Sequence, residues 1–199
     1  AQAEILYGEI LRVAEAKPTD VICDLFCGTG TIGMFLAKTA REVYGVEINK
    51  WAVDNARENA ARNNISNITF LCDDAGNSIK KLSKSAIVVV DPPRSGIDEK
   101  SLEKIIELAP RKIIYVSCNP TTFARDAKIL SKKYELKNVQ PIDMFPQTYH
   151  VETVALFDKA HFGSQPAAAG LFASLRARAL RSHETPHRTW RSFIHNARL

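Results

Sequence analysis

The sequence is poor in the features that mark special classes of protein. Its 199 residues include only four cysteines, two tryptophans and two methionines. Four cysteines without a secretory context point away from a disulfide-stapled framework, and a chain of this length can bury a core without one. They point to a reducing compartment, and so to the cytoplasm. No apolar run approaches the roughly 18–20 residues that a membrane-spanning helix needs, so no membrane partner is expected. The opening AQAEILYGEI lacks a basic segment followed by an apolar one, and no secretory leader is expected. Internal repeats are missing. Acids are nearly missing from one region: residues 160–199 hold one Glu and no Asp.

What remains is ordinary for a soluble globular chain, at 45% hydrophobic and 25% charged. The net charge of +5 suggests a nucleic-acid partner at first sight. Residues 1–159, however, carry 21 basic and 21 acidic side chains and are neutral. The whole excess lies in residues 160–199, with six Arg, no Lys and four of the five His. The chain therefore divides into a balanced body, 1–159, and a basic tail of low order, 160–199. The tail reads as a disordered or non-native extension more than as a phosphate-contacting arm, since basic and aromatic residues do not interleave. Residues 171–181 fit a short basic helix within it.

The body alternates strand and helix patterns. Helices are expected over 3–16, 31–40, 50–63, 77–82, 98–108 and 121–133. Strands are expected over 21–26, 43–47, 67–72, 86–91, 112–117, 136–142 and 151–158. The run AIVVVD at 86–91 is apolar throughout, as in a parallel strand covered on both faces. The last two strands have no helix between them, which suggests an antiparallel pair closing the sheet. The fold class is α/β: a doubly wound, mostly parallel, seven-stranded sheet.

Gly28, Gly30 and Gly33 follow the first strand and open a helix, in the spacing G-x-G-x-x-G. Glu47 ends the second strand, where a carboxylate fits ribose hydroxyls. The glycines alone would also serve a plain strand-to-helix turn. Asp24 chooses between ligands. A carboxylate beside the loop repels a pyrophosphate docked on a helix N-terminus. It suits the ammonium and sulfonium of S-adenosylmethionine. Asp74, after the third strand, can accept from an adenine amino group or stand as a solvated loop acid. Phe26 and Ile48 can pack on the ligand or belong to the core.

Asp91-Pro92-Pro93-Arg94 follows the fourth strand, and Ser117-Cys118-Asn119-Pro120 the fifth. Both point to the crevice beyond the carboxyl ends of the strands. Pro120 suits the first turn of a helix, so Cys118 sits at a helix N-terminus, where a thiolate is favoured. Cys23, Cys27 and Cys72 read as reduced packing residues. Cys23 and Cys27 have no second ligand pair, and no metal site is expected. His150-Val151-Glu152 opens the last strand, which the fold should bring near the fifth-strand loop.

DLFCGTGTIG, DPPRSG, SCNPTTFARD and DMFPQTYHVE, in this order, resemble the RNA 5-methyluridine methyltransferases, an S-adenosylmethionine-dependent family that methylates uracil C5 in rRNA and tRNA. The likeness covers roughly residues 1–159 and the catalytic domain alone. Family members usually carry N-terminal RNA-binding parts, often a small β-barrel and sometimes an iron–sulfur cluster, and this sequence contains neither. The family's Gly-Asp-Ala is Asp73-Asp74-Ala75 here, and the tail has no counterpart. The resemblance implies that Cys118 is the nucleophile and Glu152 the base. It puts Phe26, Thr31, Glu47, Asp74 and Asp91 on cofactor-contacting positions. Gln147 and His150 lie near the base without an assigned step. The stretch DMFPQTYHVE looks closer to the rRNA branch than to the tRNA branch. Two alternatives stay open. One is amino or small-molecule methylation, where an aromatic commonly follows D-P-P; Arg94 stands there instead. The other is a binding module without turnover.

Overall fold

The computed structural model describes residues 2–82, 85–144 and 151–160. Gln147, His150 and the tail from 161 onward, with its expected 171–181 helix, lie outside the described residues.

The chain runs α1 (Gln2–Ala14), β1 (Val21–Leu25), α2 (Thr31–Ala37), β2 (Glu42–Glu47), α3 (Lys50–Arg62), β3 (Ile68–Cys72) and α4 (Ala75–Ser78), which continues as a 3-10 turn (Ile79–Leu82). It goes on through β4 (Ile87–Val90), α5 (Glu99–Leu108), β5 (Lys112–Ser117), α6 (Pro120–Leu130), β6 (Tyr134–Ile142) and β7 (Glu152–Lys159). One seven-stranded sheet has the order β3-β2-β1-β4-β5-β7-β6. Pairing is parallel from β3 to β5, and β7 is antiparallel to both of its neighbours. The doubly wound reading holds, and so does the late antiparallel pair. β7 is inserted between β5 and β6 rather than added at the edge.

Burial explains the layout. β1, β4 and β5 are buried at every position, as interior strands with helices on both faces must be. On one face Leu6, Ile10 and Val13 of α1 and Ile32 and Leu36 of α2 cover Ile22, Val89, Ile114 and Val154. On the other, Leu102 and Ile105 of α5 and Phe123 and Leu130 of α6 cover Val88, Val90, Tyr115 and Phe157. Side-chain caps start four helices: Asn49 for α3, Asp74 for α4, Asp98 for α5 and Asn119 for α6, with Pro120 in the first turn of α6.

Most boundaries shift from expectation by one to three residues; α1 ends at Ala14 rather than at 16 and α6 at Leu130 rather than at 133. β1 stops at Leu25, because Phe26 takes a left-handed conformation, φ 62°. α2 ends at Ala37 rather than at 40. The helix expected from Asn77 begins at Ala75, because the Asp74 carboxylate accepts from the Asn77 N–H and caps it there. Among the described residues no helix is long and apolar enough to cross a membrane.

Candidate active site

The carboxyl ends of β1 to β5 share one edge of the sheet, and the strand order reverses between β1 and β4. Open α/β sheets bind ligands at such a switch point. β7 runs the opposite way, so it begins at this edge. Its Thr153 pairs with Ser117, the last residue of β5. Glu152 and Cys118, far apart in sequence, therefore reach the same edge.

On the β1–β3 side, carboxylates hold the backbone. Gly30 leads into α2 with φ 81° and gives no side-chain cap. A Cβ there would come within 2.5 Å of the Phe70 ring. Asp24 replaces the missing cap from below: its Oδ2 accepts from the Gly33 N–H at 2.9 Å. Asp24 is fully buried, and its Oδ1 has no hydrogen-bond partner. Burial first, and the charge of Asp91 second, push its carboxyl up to about 8, against the lowering effect of the Gly33 N–H. Glu47 joins two turns, accepting from the Gly28 N–H at 3.1 Å and the Asn49 N–H at 2.8 Å. The Gly30 N–H donates to the Cys27 carbonyl. Three loop N–H groups that a pyrophosphate could use are thus occupied, those of Gly28 and Gly33 by acids and that of Gly30 by a carbonyl. Thr31 opens α2 and is half-buried, as is Phe26, whereas Asp74 is exposed. Ile48 is 71% exposed, and so is Trp51, at 80%, which the sequence reading did not single out.

On the β4–β5 side stand the reactive groups. Asp91 is open to the crevice, and its N–H donates to the Leu25 carbonyl. Desolvation, and then the charge of Glu152, raise its carboxyl to about 7. Cys118 is half-buried in a tight turn between β5 and α6. The Ser117 hydroxyl closes that turn, donating to the Asn119 carbonyl and accepting from the Asn119 N–H. The expected helix N-terminus is there, but the expected ease of ionisation is not. Burial first, and Glu152 next, push the Cys118 thiol above its ordinary value, and Arg94 offsets only part of this. Burial likewise raises Glu152, again opposed by Arg94. Arg94 was noted in the sequence only as the residue after Asp-Pro-Pro. Its position in that loop was the signal available, and the fold makes it the cation facing both reactive groups.

A family model described as methyltransferase small domain matches residues 8–114, more than half of the chain. The chain belongs to this family. A second model, tRNA (uracil-5-)-methyltransferase, matches residues 75–160, the part of this methyltransferase-family chain that carries Asp91, Arg94, Cys118 and Glu152. The resemblance to the RNA uracil-C5 methyltransferases is thereby borne out. A curated RNA methyltransferase of Staphylococcus aureus is 45% identical over 161 residues, which is 79% of this chain and 36% of that protein. One from Staphylococcus epidermidis is also 45% identical, with 35% of its length covered. The chain spans about a third of the length of these relatives. The crystal structure of the Pyrococcus abyssi tRNA (uracil-54, C5)-methyltransferase, in complex with S-adenosyl-L-homocysteine, superposes with a TM-score of 0.70 at 35% identity, over 78% of this chain and 38% of that one.

Proposed function

We propose that this methyltransferase domain moves a methyl group from S-adenosylmethionine to C5 of a uridine in RNA, with Cys118 as nucleophile and Glu152 as base. The observation that carries the proposal is the β5–β7 register, in which Ser117 and Thr153 are paired neighbours of the two reactive residues.

The acidic edge fits a cationic methyl donor. Among the described residues Asp24 keeps one buried oxygen without a partner, and burial first, then the charge of Glu152, raises the Asp91 carboxyl to about 7. A nearby positive charge relieves both. Glu47 is held by two N–H donors and retains lone pairs for ribose hydroxyls. Phe26, Gly28, Gly30, Thr31 and Asp74 complete the lining. Bound there, the donor supplies an electrophilic methyl carbon. The complex of the Pyrococcus abyssi relative with S-adenosyl-L-homocysteine supports this class of ligand.

Uracil C5 is too weak a nucleophile to attack a methyl group unaided. The Cys118 thiolate adds to C6, forming a C–S bond, and the C5=C6 electrons move into an enolate that makes C5 nucleophilic. The raised thiol means that Cys118 must lose a proton before attack. Once C5 carries the methyl group, it still bears a hydrogen. The Glu152 carboxylate removes that proton, the C5=C6 bond reforms and the thiolate leaves. The base must come out of its stack to reach Cys118, at a cost of a few kcal/mol.

The test is methyl transfer from labelled donor to unmodified tRNA and rRNA, with the modified nucleotide mapped. The Pyrococcus abyssi relative is a tRNA methyltransferase, whereas DMFPQTYHVE leans to rRNA, and the mapping decides between them. RNA containing 5-fluorouridine should trap a covalent adduct with the wild type and none with Cys118→Ala. Equal adduct from both rejects the nucleophile. A second reading, a binding piece without turnover, rests on the chain's spanning about a third of its relatives. Donor binding without transfer to either RNA selects it.

A further inference from the structure

α6 grips the loop that follows β4. The Asn119 side-chain amide and the Thr122 hydroxyl both donate to the Arg94 carbonyl, at 3.0 and 3.2 Å. Arg125 Nη2 donates to the carbonyls of Ser95 and Ile97, each at 3.0 Å. Asp126 is fully buried. Its Oδ2 accepts from the Ile97 N–H at 2.8 Å and the Tyr115 hydroxyl at 2.7 Å, and its Oδ1 accepts from Arg125 Nε at 2.8 Å. Gly96 has φ +74°, and a Cβ there would come within 2.6 Å of both Arg125 Nη2 and Asp126 Oδ2. The loop backbone is moulded around this pair.

Stability alone explains the arrangement poorly. A buried carboxylate is costly even when paired, and a well-packed apolar side chain often does as well or better. What the network does is fix the backbone that carries Arg94, bonded to Asn119, the neighbour of Cys118. Among the described residues, the charged groups facing Cys118 are Glu152 from β7 and Asp91 and Arg94 from the loop after β4. The two carboxylates disfavour the thiolate, and Arg94 is the cation that opposes them.

Building on the function proposed above, we infer that Asp126 and Arg125 are positioning residues: by clamping Ser95 and Ile97 to α6, directly after the Arg94 carbonyl that Asn119 and Thr122 hold, they keep the Arg94 guanidinium beside the nucleophile Cys118 and the base Glu152. The clamp acts on the reaction through Arg94 and touches no reacting atom.

The experiment follows the rate of Cys118 alkylation by iodoacetamide against pH in the full chain. The Cys118 peptide is quantified by mass spectrometry, so that exposed Cys72 does not contribute. Arg94→Ala should move the profile upward by roughly half to one pH unit, because a cation beside the thiolate is lost. Asp126→Asn and Arg125→Ala should move it the same way, by less. The double variant Arg94→Ala/Asp126→Asn should move it no further than Arg94→Ala alone. Unmoved profiles in both clamp variants overturn the inference, and so does an Asp126→Asn shift that adds in full to that of Arg94→Ala. Should Asp126→Asn fail to fold, Arg125→Ala carries the test, since that side chain is 53% exposed and fills no core space. The readout uses neither RNA nor methyl donor. Its failure is therefore separate from failure of the proposed reaction, which is read from adduct formation by Cys118→Ala.

Discussion

The two sides of the edge are held by opposite chemistry. On the β1–β3 side, carboxylates reach down to backbone N–H groups: Asp24 to Gly33, Glu47 to Gly28 and Asn49. On the β4–β5 side, side-chain donors mostly reach to backbone carbonyls, Asn119 and Thr122 to Arg94 and Arg125 to Ser95 and Ile97, and one acid, Asp126, accepts from the Ile97 N–H. The first side is thereby lined by acids, Glu47 and a buried Asp24 that a bound cation would help to ionise, which suits a cationic small molecule. The second has its carbonyls tied back, and a cation stands among its reactive groups. One sheet edge thus offers binding on one side and chemistry on the other, and each can be perturbed separately.

The largest expected effect lies on the chemistry side. Glu152→Gln should lower turnover by about 10²–10⁴-fold, the usual worth of a positioned base. A methylated covalent adduct should accumulate, visible by mass spectrometry, while donor affinity stays unchanged. Loss of donor binding instead would break the division between the two sides. A smaller effect, on stability, belongs to the binding side. Gly30→Ala forces a left-handed residue against Phe70 and should lower the unfolding free energy by about 1–3 kcal/mol in urea titration.

The sides also differ in how pH acts on them. Asp24 is raised from 3.8 to about 8, so between those values the native chain holds a proton that the unfolded chain has lost. The stability this proton contributes is full below the unfolded value and fades as pH rises through about 8. The donor-free protein should therefore melt at progressively lower temperature as pH rises through that window, and Asp24→Asn should flatten the trend. On the chemistry side the same direction of shift governs rate. Release of the methylated adduct, followed on its own, should slow on acidification sooner than an exposed glutamate would make it, because the base Glu152 must be ionised and is raised by burial. Release that slows only where an exposed glutamate titrates would show an unburied base. The smallest effect is remote from both sides: Asp98→Ala removes the α5 cap and should cost about 1 kcal/mol without changing donor affinity.

Much of this was legible in the sequence. Continuous apolar runs marked β4 and β5, and the glycine loop, Asp91 and Cys118 all follow strands whose ends the parallel topology aligns. Features that depend on tertiary packing were not legible. Phe26 reads as strand, but the chain must turn out of β1 there, and it does so in the left-handed region. Asp74 is a better N-cap than any residue nearer Asn77, which moved the start of α4. Arg125 and Asp126 look like an unremarkable surface pair on a helix, and only burial against Tyr115 and Ile97 turns them into a clamp. Helix position predicts an easy thiolate at Cys118, but the acids around it come from other strands, and no local pattern announces their weight.

β7 has a further consequence. The strand that carries Glu152 is interior, bonded along one side to β5 and along the other to β6. The outer strands of the sheet are β3 and β6, and sheets tend to loosen first at such margins. In the proposed reaction, attack depends on Cys118 and letting go depends on Glu152. A base on a fraying margin would let the protein capture its RNA and then fail to free it. With the base at the start of an inner strand, any opening that reached Glu152 from the margin would have to part β6 from β7, which would also loosen the strand beside the nucleophile's, so capture and release weaken together.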